Sequence, residues 1–356
     1  MTSTLALSAA QALSAAASLK RKRLGVVIHS YWQRWHGKHS SIAHPAFTTP
    51  MDVLDHVRGL GVGSLQITMH DWKEETAADM RATSESYGVK LEGSVGLPKN
   101  ADDVARFEHE LRLGKAAGMT IFRSWIGGRR YEDFSTREAF EDFKERAMKS
   151  LRLAEPLVRR HGVRLGVENH KDFHAPELVE MLSKIGSDQI GVCIDLGNSL
   201  ALLEDPLAVV ETLAPLVVTT HVKDIAVMES ADGFQMAEVP LGEGILDLPR
   251  MFELIEAANP QVEHHLEMIT RDPLDIPCLK ERYWATFPDK PGTELARTLS
   301  MVRARKAEKL PKTSGKTPEA ILALEEENNV KCLRNAADKF GFQGPPKAGK
   351  AAAEEK

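Results

Sequence analysis

The chain has 356 residues, of which 42% are hydrophobic and 27% charged, the balance of a globular chain with a sizeable core. Its 46 Lys+Arg against 51 Asp+Glu leave a net charge of −5, so no overall positive field exists to draw in nucleic acid. No run reaches the ~18 apolar residues of a membrane helix, and three cysteines, odd in number and far apart, argue against a disulfide framework or a thiolate zinc site.

Residues 2–19 are uncharged and rich in Ala, Ser and Leu, and Lys20-Arg21-Lys22-Arg23 follows them. A secretory signal carries its positive charge before the apolar run, and here it comes after. The order favours a flexible extension over 1–23 and a cytoplasmic protein, with export as the alternative.

From residue 24 onward short β-branched runs alternate with stretches of helical periodicity, separated by Gly, Pro and Asp. Eight strands are predicted at 24–29, 64–69, 90–95, 120–125, 164–169, 190–195, 217–222 and 263–269. Helices are predicted near 51–60, 74–87, 101–117, 137–161, 176–184, 206–213 and 248–258, and a final helix over 294–309 would close the alternation. Four helix-to-strand junctions repeat one device: Gly61, Gly88, Gly118 and Gly162 each stand just before an apolar residue. Glycine takes the left-handed conformation that ends a helix, and the next residue enters a buried strand. Runs such as Gly191-Val192-Cys193-Ile194 are continuously apolar, as strands covered on both faces require.

Eight such units predict a (β/α)8 TIM barrel over 24–309. An open doubly wound sheet is the competitor, but no G-x-G-x-x-G follows any strand. Residues 310–356 begin with a basic linker, continue through 318–340 as one or two docked helices, and end in a low-complexity, disordered tail.

In such a barrel chemistry collects where strands end. The fifth strand ends Gly166-Val167-Glu168-Asn169-His170, the sixth Cys193-Ile194-Asp195-Leu196-Gly197-Asn198, the seventh Thr219-Thr220-His221-Val222-Lys223-Asp224, and the eighth His265-Leu266-Glu267. Each delivers one metal-competent side chain from an apolar run: Glu168, Asp195, His221 and Glu267. A buried lone carboxylate is costly, and a shared divalent cation compensates all three acids together. Three oxygen donors and one imidazole suit Mn2+ or Mg2+, with Co2+ and Zn2+ as alternatives.

These blocks, with Leu241-Gly242-Glu243-Gly244, resemble the sugar phosphate isomerase/epimerase family of the xylose-isomerase-like barrel superfamily. That family includes ketose 3-epimerases, inosose dehydratases and hydroxypyruvate isomerases, and the resemblance runs from about residue 24 to 309. It implies that Glu168, Asp195, His221 and Glu267 bind one divalent ion, first of all Mn2+, and that Glu168 and Glu267 act as acid and base. It implies a homo-oligomer as well. Ketose 3-epimerases usually carry His three residues after the sixth-strand Asp, where this chain has Asn198. An Arg often found after their seventh-strand His is not evident here, and Lys223 is.

The parts predict an isomerase or epimerase of a sugar or cyclitol. A carboxylate abstracts the proton next to a carbonyl, and the metal stabilises the enediolate. The alternative is a lyase or dehydratase at the same site, eliminating from a 3-keto-glycoside or an inosose. Asn198 and the Lys-bearing loops lean towards it. His170, Lys171, Arg123, Lys223, Asn198 and Arg271 are the candidate substrate contacts, and Glu92 is a candidate support. His29 with Tyr31, Trp32 and Trp35, and His70 with Trp72, could wall a sugar site. Gly242-Glu243-Gly244 is expected to be a flexible loop at the mouth. An abasic-site endonuclease, the superfamily's other chemistry, needs more His and Asp ligands and a basic surface. No nucleic-acid or membrane partner is expected.

Overall fold

The computed structural model describes residues 21–35 and 37–344. The 2–19 stretch and the end of the predicted tail, 345–356, lie outside them.

The strands in chain order are β1 (Arg21–Arg23), β2 (Gly25–Val27), β3 (Ser64–Thr68), β4 (Lys90–Ser94), β5 (Ile121–Ser124), β6 (Arg164–Glu168) and β7 (Ile190–Asp195). They continue with β8 (Val217–Val222), β9 (Asp224–Ser230), β10 (Gly233–Val239), β11 (His264–Leu266), β12 (Leu274–Ile276) and β13 (Phe342–Gln343). Eight close into a parallel barrel in the order β11-β2-β3-β4-β5-β6-β7-β8, one within each predicted strand. β7 and β8 are buried along their whole length, which explains why their sequences do not alternate.

Helices α1 (Pro50–Gly59), α2 (Glu74–Tyr87), α3 (Val104–Ala116), the short α4 (Arg130–Asp133), α5 (Arg137–His161), α6 (Ala175–Ile185), α7 (Pro206–Leu213) and α8 (Leu248–Ala258) follow the barrel strands in turn. α1 starts at a capping box: Thr49 Oγ1 accepts the Asp52 N–H at 3.2 Å and the Asp52 carboxylate accepts the Thr49 N–H at 2.8 Å. Gly61, Gly88, Gly118 and Gly162 all have positive φ, as the junction pattern requires.

The last two helices are α9 (Gly292–Arg305) and α10 (Pro318–Phe340). The structure corrects the expectation that the helix near 294–309 closes the barrel. α9 sends Leu295, Leu299, Met301 and Val302 into a separate cluster with Phe234, Met236 and Ile276 of an antiparallel sheet. That sheet, ordered β12-β10-β9, was not predicted. The place of the eighth helix belongs to α10, whose Cys332, Ala336 and Phe340 join the main core. Phe340 packs edge-on against Phe252 of α8, while Glu326 pairs with His56 of α1 at 3.1 Å, so α10 bridges the seventh and first barrel helices. β13 then pairs in parallel with β1 at the foot of the barrel.

The Gly242–Gly244 segment is tethered, contrary to the flexible loop expected. The N–H groups of Gly242 and Gly244 donate to Asp224 Oδ2 at 2.9 Å each, and that of Leu246 to Oδ1 at 3.2 Å. A Cβ on Gly244 would come within 2.1 Å of Asp224 Oδ1, so only glycine allows this approach. Glu243 pairs with Lys331 of α10 at 2.7 Å. Among the described residues, no helix is long and apolar enough to cross a membrane.

Candidate metal centre

Parallel pairing sets the site. Asp195 and His221 are direct partners across β7 and β8, and Glu168 is level with Cys193 on β7. Just past β11, the Glu267 N–H donates to the Val222 carbonyl at 2.8 Å. Four neighbouring strands therefore deliver Glu168, Asp195, His221 and Glu267 to one level at the C-terminal end of the barrel. Each can offer a ligand atom within 4.8 Å of the others, and all four residues are buried.

His221 tests whether this group suits a cation. Its Nε2–H donates to Gln66 Oε1 at 2.7 Å. Its Nδ1 lies 3.4 Å from Glu267 and 3.7 Å from Glu168, and makes no hydrogen bond. Both ring nitrogens thus face oxygen acceptors, an arrangement that requires positive charge between the ring and the acids. Burial pushes the imidazole pKa down, but Cys193, Glu267 and Glu168 outweigh it and hold it well above the ordinary value. A divalent ion at Nδ1 meets the same demand with a neutral ring, and imidazole with carboxylates is a fitting donor set.

The acids are gripped by basic partners. Arg123 on β5 forks onto Glu168, with Nε at 2.8 Å, and Asn198 Nδ2 donates to Glu168 Oε1 at 3.1 Å. Burial drives Glu168 up, yet Arg123 and His221 keep it well below the usual carboxylate range. Lys223 Nζ lies between Asp195 Oδ2 at 2.8 Å and Glu267 Oε2 at 2.5 Å. Glu267 is likewise held low against burial by Lys223 and His221. For Asp195 burial wins, and its pKa is raised.

Of the remaining predicted contacts, Lys171 donates to Asn198 Oδ1, which brings both to the ligand group's edge. His170 turns aside and bonds the Gly128 carbonyl at 3.0 Å, where burial and then Lys171 push its pKa down to about 3. Arg271 forks onto the buried Glu238 of β10. His70 is exposed and pairs with Asp71, and Trp72 is buried. Trp32 and Trp125 are partly exposed near the rim, and the Arg123 guanidinium stacks 4.4 Å from the Trp125 ring.

Two participants, Gln66 and Glu238, were not among the predicted residues, and His29 was expected only as part of an aromatic wall. His29 Nδ1 meets Glu267 Oε1 at 3.0 Å, Gln66 orients His221, and Glu238 neutralises Arg271. Gln66 lies in the middle of β3, where reasoning from strand ends passes it over, whereas His29 stands at the end of the first strand unit, within its reach. Glu238 sits in the unpredicted sheet, on the strand that follows the short Ala231-Asp232 turn.

The family description "xylose isomerase-like TIM barrel" matches residues 54–297. The chain belongs to that family. One curated relative of this xylose isomerase-like barrel, the 3-oxo-isoapionate decarboxylase of Pectobacterium atrosepticum, is 28% identical over 194 residues. The match covers 52% of this chain and 66% of the relative, a little under two thirds of its length. A crystal structure of D-psicose 3-epimerase in the presence of D-fructose superposes with a TM-score of 0.58 at 15% identity, covering 90% of this chain and 99% of that one. A xylose isomerase-like protein from Mycobacterium smegmatis, in complex with magnesium, gives 0.54 at 15% identity over 78% and 98%. At these identities the structural likeness speaks for the fold alone.

A cavity of about 990 Å³ lies elsewhere, between α7, α9 and the Phe287 segment, and touches none of the four ligand residues.

Proposed function

We propose that this protein is a divalent-metal-dependent enzyme that removes a proton next to the carbonyl of a sugar or cyclitol derivative, acting as an isomerase or epimerase. The observation that carries the reading is the convergence of Glu168, Asp195, His221 and Glu267, with His221 Nδ1 facing two carboxylates and making no hydrogen bond. The magnesium complex of a fold neighbour supports Mg2+ as the ion, and three carboxylates with one imidazole suit Mn2+ as well. Bound by these ligands, it would supply a Lewis acid that polarises the carbonyl and offsets the negative charge developing on its oxygen.

The protein's own groups do the rest. Glu267 accepts the α-proton, and the partly exposed His29 ring, bonded to the same carboxylate, leads it towards solvent. Glu168, ionised at rest, takes the proton of the hydroxyl beside the carbonyl and then returns that proton to the neighbouring carbon. Arg123 and Lys223 keep both acids ionised between turnovers. Burial of the whole group excludes water, which strengthens each of these interactions.

The second reading, a lyase, is favoured by the named activity of the decarboxylase relative and by the basic residues at the mouth. In that case a bond to carbon dioxide or to a leaving hydroxyl breaks, and the same enediolate forms or collapses.

The test is incubation of Mn2+-loaded protein with ketoses, inososes and sugar keto acids in D2O. Deuterium incorporated without loss of a fragment supports isomerisation, whereas released carbon dioxide or water supports the lyase. Exchange that persists after chelation, or in Glu267→Gln, would overturn the metal-assisted proton transfer.

A further inference from the structure

Four basic side chains are buried at the barrel mouth, and three have carboxylate partners. Arg123 holds Glu168, Lys223 lies between Asp195 and Glu267, and Arg271 forks onto Glu238. Lys171 differs. It is 3% exposed, and among the described residues its ammonium makes one hydrogen bond, to the uncharged Oδ1 of Asn198, and no ion pair. An ammonium has three donors, so two are left without a protein acceptor. A buried cation in that state costs several kcal/mol unless an anion joins it.

Asn198 fixes where that anion would sit. Its Oδ1 takes Lys171 while its Nδ2 donates to Glu168 Oε1 at 3.1 Å, so one amide separates the ammonium from the ligand group. Burial, and then Lys223 and Arg271, push the Lys171 pKa down to about 8, which leaves it largely charged at neutral pH. The wider balance agrees. Glu168, Asp195, Glu238 and Glu267 match Arg123, Lys171, Lys223 and Arg271 four for four, and a divalent ion at the ligand group would leave the mouth positive.

We infer that the substrate of this site carries a carboxylate, and that Lys171 is the residue that receives it. The inference names a substrate class for the proposed enzyme and rests on that reading for the location of the site. One lysine with two spare donors suits a carboxylate better than a phosphate, which brings up to two charges and three strong acceptors. Lys171 would then anchor the acid end, while Asn198 spaces it from the carbonyl end.

The test uses the full-length protein and matched ligands that differ at one carbon: dihydroxyacetone with hydroxypyruvate, D-fructose with D-fructuronate, and D-tagatose with D-tagaturonate. Each is titrated calorimetrically with and without Mn2+. At least one acid should bind about tenfold or more tightly than its neutral mate. Lys171→Met should erase that preference, and Lys171→Arg should keep most of it. The proposal fails if no acid is preferred, if the preference survives in Lys171→Met, or if fructose 6-phosphate outcompetes every acid. A covalent adduct at Lys171 after borohydride treatment would overturn it as well. Failure to bind Mn2+ would instead sink the proposed metal enzyme, and the acid preference would still be read from the metal-free titrations.

Discussion

Gln66 links two neighbours with opposite needs. Its Nε2 donates to Glu92 Oε2 at 3.2 Å and its Oε1 accepts from His221 Nε2 at 2.7 Å. Burial pushes Glu92 up to about 7; above that its ionised carboxylate only accepts, so it fixes which way the amide points, and the amide fixes which imidazole nitrogen is left for a metal. Thr219 supports Glu92 from the side at 2.7 Å. We expect Glu92→Gln, which lets the amide flip, to weaken metal binding by about 10–100-fold at pH 8. Competition against a fluorescent chelator measures this, and unchanged affinity would remove Glu92 from any positioning role. Arg123 offers a second check. Arg123→Met leaves Glu168 buried without its guanidinium, and should cost about 3–5 kcal/mol in urea unfolding without metal. Saturating Mn2+ should recover part of the loss, because it compensates the same carboxylate.

At the level of elements, the barrel strands were legible because each is an apolar run ended by a polar residue or turn. The closing helix was not. α9 follows the eighth strand in sequence and shows helical periodicity, yet buries only Thr298 and Val302 fully. α10 buries Leu322, Glu325, Asn329, Cys332, Ala336 and Phe340, spaced three or four apart along one face. Its polar members disguise that stripe in the sequence, and each finds a partner for part of its polar surface: Asn329 Nδ2 donates to the Ser30 carbonyl at 2.7 Å, and Glu325 Oε2 accepts the Gln33 N–H at 2.7 Å. Ala336→Asp should therefore destabilise the whole protein by roughly 3 kcal/mol or more, which chemical denaturation would register; a neutral effect would detach α10 from the barrel core. Glu325 gives a pH signature. Burial pushes it up to about 8, against the pull of the Gln33 N–H. Between the ordinary carboxylate range and that value the native state holds a proton that the unfolded chain has lost, so stability falls as pH rises through this window. Glu325→Gln cannot titrate. Its melting temperature should gain on the wild type by ~2 °C or more between pH 5 and pH 9, and parallel pH profiles would refute the assignment.

For the molecule as a whole, the candidate ligand group was readable because four consecutive strands end alike, whereas its partners came from distant parts of the chain. Lys223 and Arg123 were visible as strand-end cations, but nothing in their spacing says which acid each would meet. Those pairings depend on closure of the barrel. If the group binds an ion only when folded, metal should stabilise the entire domain. At about a hundred times the dissociation constant the gain is ~2.7 kcal/mol, or roughly 5 °C in melting temperature, reversed by chelation. Calorimetric scans with and without Mn2+ and EDTA would measure it, and overlapping scans would mean the site does not take the ion.

The pairing of β1 with β13 has a practical corollary. Arg21 and Phe342 are partners across that short ladder, and Arg21 N–H donates to the Gly341 carbonyl at 2.9 Å. Lys22 reaches Glu263, at the start of the eighth strand unit, so this seam lies on the opposite side of the barrel from the ligand group. Splicing residue 344 to residue 21 through a brief linker, and reopening the chain in an exposed turn such as Ala231-Asp232, would give a circularly permuted protein with its reaction chamber undisturbed.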